Sequence, residues 1–134
     1  MTDVRAMLKE HIEATFDRKA VFGVDDCTPW VDAWQAKFTG ARFMEKPDWS
    51  SWEEAKAKID AAGSLCALWE EALFGTSFTE TYQPSFGDVG IVETRITGQV
   101  SGIFLDHGRF VWRVNIGVSF LMPRTIVKAW TFDR

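Results

Sequence analysis

At 134 residues the chain is long enough for one domain with a substantial core. Hydrophobic residues make up 46%, with seven Trp and eleven Phe, which excludes a largely disordered chain. The net charge of -4 excludes non-specific nucleic-acid binding; residues 1–82 hold 9 basic and 15 acidic side chains and residues 83–134 hold 6 and 4, mostly spaced arginines of a solvated strand face.

The first half reads helical. Asp3 caps a helix from Val4 to about Phe16, with Val4, Leu8, Ile12 and Phe16 on one face. Gly23 and the pair Asp25-Asp26 break the pattern, and Cys27 opens the next helix, Thr28–Phe38. Its apolar stripe is Trp30, Val31, Trp34 and Phe38, Pro29 suits its first turn, and Thr39-Gly40 ends it. An irregular connection with Pro47 follows over residues 41–50. Ser51-Trp52-Glu53-Glu54 is a capping box for a helix to about Ala62, with Trp52, Ala55 and Ile59 inward. Ser64 starts a last helix through Leu73, with Leu65, Leu68, Trp69, Ala72 and Leu73 at helical spacing and Cys66 in the core.

The second half changes to strand chemistry. The segments 88–94, 99–105, 109–115, 117–121 and 127–132 are rich in β-branched and aromatic residues, and Asp106-His107-Gly108 is a hairpin turn. Helices followed by an antiparallel sheet make the chain α+β, a single domain over 1–134 with a helical part to about 75 and a sheet part from about 87. No apolar stretch reaches membrane-spanning length, and Met1–Arg18 has no secretory h-region. Two cysteines are too few for a secreted disulfide framework, so the expectation is a soluble protein made in the cytoplasm, without membrane or nucleic-acid partners.

Cys27 is the residue that carries chemistry. At a helix start it meets unsatisfied backbone N–H groups and the positive end of the helix dipole, which favour thiolate over thiol. Against this stands the plain alternative, a small buried hydrophobe at a helix start. Asp25 and Asp26 read as a cap and a loop charge, because no further ligands stand at metal spacing. Trp30, Trp34, Trp52 and Trp69 read as core; Trp49, Trp112 and Trp130 are less constrained and suit an interface. No metal-ligand spacing, phosphate loop, Ser-centred elbow or dinucleotide fingerprint occurs, so no cofactor and no metal is expected.

Three motifs carry a family likeness. Phe22-Gly23 through Asp26-Cys27 resembles the aromatic-Gly…Asp-Cys signature of NlpC-type cell-wall peptidases, which have a papain-like fold. Gly87-Asp88-Val89-Gly90-Ile91-Val92 resembles the Gly-Asp motif opening their first core strand, and Gly102-Ile103-Phe104-Leu105 with Gly108-Arg109-Phe110-Val111 resembles the following hairpin. A closer likeness, extending through Val118…Pro123…Ala129-Trp130, is to a small family of that fold from bacteria and tailed phages, many of them encoded in phage and prophage tail regions.

The resemblance implies Cys27 as nucleophile, a histidine starting the second core strand, and a third polar residue near the end of the next. Those slots fall at Val100, or Gln99 with a bulge, and near Trp112, so the base is missing. His107 lies at the far end of that strand, roughly 23 Å away, and His11 in the first helix; both read as surface residues. Three functions follow as expectations. The first is a non-catalytic, tail-associated domain, virion-bound or acting in assembly, that works through contacts with other phage tail proteins. The second is an active cysteine hydrolase of peptidoglycan peptides, with Cys27 as nucleophile and Gln99 as polar partner. The third is a peptide- or muropeptide-binding module.

Overall fold

The structure, a computed structural model, describes residues 3–44 and 48–134. The Pro47 expected in the connection lies outside the described residues. Four helices come first: α1 (Val4–Glu13), α2 (Cys27–Thr39), α3 (Trp52–Ala62) and α4 (Leu65–Leu73). Six strands follow: β1 (Thr79–Glu80), β2 (Val89–Thr94), β3 (Gly98–Phe104), β4 (Phe110–Arg113), β5 (Val118–Leu121) and β6 (Thr125–Thr131). They form one antiparallel sheet in the order β1-β6-β2-β3-β4-β5. The α+β class follows directly.

The helix ends obey local chemistry. Asp3, Ser51 and Ser64 accept from the backbone N–H groups of Ala6, Glu54 and Ala67, and Gly40 closes α2 in the left-handed conformation. Thr79–Glu80 pairs with Thr131 and Trp130 of β6 inside what reads as a loop, because two residues carry no periodic signal.

The helices cover one face of the sheet, with α2 lying across β3 and β4. The core between the layers holds Trp30, Val31, Trp34 and Trp69 from the helices against Val89, Ile91, Ile103 and Val111 from the strands. Trp69 stacks on Trp130, with ring centroids 5.5 Å apart. The opposite face has a smaller cluster: Val92, Val100, Phe104, Phe110 and Ala129. Two glycines make that cluster fit. Gly90 and Gly102 face each other across β2 and β3. A Cβ on Gly102 would stand 2.5 Å from the Phe110 ring, and one on Gly90 would stand 2.8 Å from Phe104.

Several expected placements are corrected. Phe16 follows the end of α1 at Glu13 and is 61% exposed. Trp52, at the first position of α3, points half into solvent, whereas Trp49 and Trp130 are buried. His11 is buried rather than superficial: its Nε2–H donates to the Trp30 carbonyl at 3.0 Å, and its ring packs on Trp30 at 4.8 Å between centroids. No helix among the described residues is long and apolar enough to cross a membrane.

Candidate functional site

Cys27 is the first residue of α2, and the packing of that helix on β3 sets what it faces. Side chains alternate along a strand. On β3, Ile103 points into the helix-side core and Val100 into the opposite cluster. Gln99 and Ser101 therefore share the helix side with Ile103. Of the slots inferred from the resemblance, Val100 is turned away and Gln99 faces the helices; Ser101 is the β3 residue beside Cys27. The same alternation on β4 puts Val111 and Arg113 on the helix side. Pairing of β4 with β3 ends at Ile103 and Val111, so Arg113 lies on the helix side of β4 beyond the paired register. Cys27 and Arg113 line one cleft on this side of the sheet.

The cleft arises where two strands part. Pairing between β3 and β4 stops at Ile103 and Val111, while β4 and β5 stay paired down to Arg113 and Val118. Arg113, fully buried at its side chain, pulls its end of β4 toward the loop before α2. Its Nη1 donates to the carbonyls of Arg18 at 3.0 Å and Gly117 at 2.8 Å, and its Nη2 lies 3.5 Å from Asp25 Oδ2. The opening is about 590 Å³, lined largely by apolar and aromatic side chains, with Cys27, Thr28, Gln99 and Arg113 among its polar residues.

Around the sulfur the groups are donors. The Ser101 hydroxyl and the backbone N–H groups of Ser101 and Thr28 lean toward Sγ. Ser101 can offer its N–H because Phe104 N–H bonds Asp88 on the β2 side, and alternation turns Ser101 to the β4 side, where the ladder has ended. A proton chain leads to the thiol. Trp69 Nε1 donates to Thr28 Oγ1 at 3.0 Å, and Thr28 Oγ1 lies 3.0 Å from Ser101 Oγ. With Thr28 accepting from the indole, its proton is free for Ser101, whose hydroxyl is one of the groups that favour the anion at Cys27.

These donors do not win. Burial, with the Asp26 carboxylate adding to it, pushes the Cys27 thiol above its ordinary value. Desolvation outweighs the donors that would stabilise the anion, which runs against the pull of the helix start toward thiolate. Asp26 is N-cap by position only. Its oxygens are taken by Gly23 N–H at 2.8 Å and Trp49 Nε1 at 2.9 Å, which pins the buried Trp49 to the mouth of α2. Burial also raises the Asp26 carboxyl. Asp25 accepts from Val21 N–H at 2.7 Å and sits between Arg113 and Arg18.

Gln99 lines the cleft, but its Oε1 is committed to the Cys66 N–H in the first turn of α4, at 3.0 Å. Neither histidine lines the cleft. Burial lowers His11 to about 4. His107 is exposed in the turn between β3 and β4 with φ at 59°, roughly six strand residues from Ser101, or about 20 Å. Cys66 is a buried free thiol beside Glu70, raised to about 11 by burial and that carboxylate. Asp88 anchors its turn, with Oδ2 accepting from Ser85 N–H at 2.7 Å and Oδ1 facing Arg134 at 2.9 Å. Among the described residues no cluster of three His, Cys, Asp or Glu side chains could hold a metal ion.

Thr28, Ser101 and Arg113 escape a sequence reading anchored on Gly102. The signal that points to them is the apolar alternation of Val89, Ile91 and Ile103, which fixes the helix-facing side once β2 and β3 are paired in register. No curated protein matches the chain. A family model matches residues 1–132, and the chain therefore belongs to the family described as a domain of unknown function, DUF6950.

Proposed function

We propose that this protein is a non-catalytic domain of papain-like, NlpC-type arrangement that serves as a phage or prophage tail-associated component through protein–protein contact. The observation that carries the non-catalytic part is Ser101 opposite Cys27. A serine hydroxyl can hydrogen-bond the thiol but cannot take its proton at neutral pH, and no histidine lines the cleft to serve as base or to protonate a leaving amine. The NlpC-type reading is supported by a cysteine at the start of a helix packed on an antiparallel sheet, and by Gly87-Asp88 opening its first core strand. The tail association rests on the sequence likeness alone. Incubation with cross-linked muropeptides tests the catalytic part: no cleavage is expected from the wild type or from Cys27→Ala, and Cys27-dependent cleavage overturns it.

A second reading is favoured by the cleft itself. An opening of about 590 Å³ has the size of a ligand pocket, and its walls are apolar with a few polar groups at the floor. A domain that has lost its base can keep such a cleft for binding.

A further inference from the structure

The polar atoms of the cleft are unevenly used, and this imbalance identifies a class of ligand. Three of its inner acceptors are already engaged. The Asp26 carboxylate takes Gly23 and Trp49, Gln99 Oε1 takes Cys66 N–H, and Thr28 Oγ1 takes Trp69. One charged donor is left over: Arg113 Nε is buried without a hydrogen-bond partner among the described residues, and Arg113 lines the cleft, whereas the unpartnered Trp112 indole packs with the opposite-face cluster. A buried donor without a partner costs roughly 1–3 kcal/mol, more when it is charged, so an acceptor brought by a ligand recovers that cost.

The charge balance points the same way. Asp25 is shared by two guanidiniums, Arg113 at 3.5 Å and Arg18 at 3.7 Å, so one carboxylate faces two positive charges. A guanidinium binds a carboxylate side-on through Nε and one terminal nitrogen. On Arg113, Nη1 is saturated by backbone carbonyls and Nη2 has only the long contact to Asp25. The side-on edge is therefore the unused one. Around it the walls are apolar: Trp49, Trp52, Ile59, Leu65 and Leu68.

We propose that the cleft binds an apolar molecule ending in a carboxylate, with its apolar part between α3 and α4 and its carboxylate on the Nε edge of Arg113. This rests on the reading of the cleft as a binding surface, and it names the ligand chemistry of that site. A free aliphatic acid and the C-terminal residue of a peptide share that chemistry. Arg113 Nε is shielded from bulk water, so binding requires the walls to shift, and the shift moves Trp49 and Trp52 and changes their fluorescence.

The test is a fluorescence titration of the full chain at neutral pH with decanoate, decanol, N-acetyl-glycyl-leucine and the amide of that peptide. Saturable binding of an acid about tenfold or more tighter than its uncharged counterpart is expected. Preference for decanoate over decanol identifies an aliphatic acid, and preference for the peptide acid over its amide identifies a C-terminus. Arg113→Lys keeps the charge and removes the Nε–H edge, and is expected to weaken the acid about tenfold while leaving decanol unchanged. Leu68→Glu, which places a carboxylate in the apolar wall, is expected to abolish acid binding. Thermal melts confirm folding; if Arg113→Lys does not fold, the acid-against-neutral comparison and Leu68→Glu decide. Equal affinity for acid and neutral probes overturns the carboxylate inference and leaves the cleft a binding surface. No binding by any of the four probes overturns both.

Discussion

Ser101 decides what Cys27 can do. A histidine in its place would supply a proton acceptor, whereas the hydroxyl supplies only a donor that partly offsets the desolvation of the sulfur. Ser101→Ala removes that donor and is expected to raise the thiol further, seen as slower alkylation of Cys27 at fixed pH; faster alkylation would contradict the assigned contact. A second residue-scale consequence concerns His11. It is buried and neutral, held at about 4 against an ordinary 6.5. Its folded value is depressed, so the unfolded chain gains a proton first as pH falls. Stability is therefore lost between about pH 6.5 and 4, by up to roughly 3 kcal/mol. Urea midpoints measured across that window should fall for the wild type and fall less for His11→Gln, and equal slopes would contradict the assignment.

At the scale of elements, the parting of β3 from β4 and the tethering of the loops create the cleft. Asp32, fully buried on α2, accepts from Gln35 Nε2 at 2.7 Å and from the Phe43 and Met44 N–H groups at 3.0 Å, so it fixes the chain leaving α2. Asp32→Ala strands three donors and is expected to cost about 3 kcal/mol, checked by chemical denaturation. Gly102→Ala forces a methyl group toward the Phe110 ring on the opposite face and should cost about 1–3 kcal/mol, with a lowered Tm as the readout.

Much at this scale is legible in the sequence. The capping residues Asp3, Ser51 and Ser64, the glycine stop at Gly40 and the switch from helical to alternating periodicity all follow local rules. The facing of β3 does not. Val100 and Ser101 are adjacent, and which one meets Cys27 depends on long-range pairing with β2. Trp49 and Trp52 exchange roles for a similar reason: Asp26, 23 residues before Trp49, holds that indole inward. His11 is likewise captured by a carbonyl 19 residues later in the chain.

Across the whole molecule, Cys27 stands at the start of α2 beside Ser101 and Thr28, with no histidine lining its cleft. The cleft persists because Arg113, Asp25 and Asp26 fasten the loop before α2 to the sheet and to Trp49, contacts that do not depend on a base. A domain built this way can hold a ligand or a partner without transforming it. The most direct measurement is the pH dependence of Cys27 alkylation, made in a Cys66→Ser background so that one thiol reports. Slow labelling is expected at neutral pH, rising only above the ordinary thiol range. Rapid labelling at neutral pH with an acidic midpoint would contradict it, because that requires a proton acceptor at Cys27.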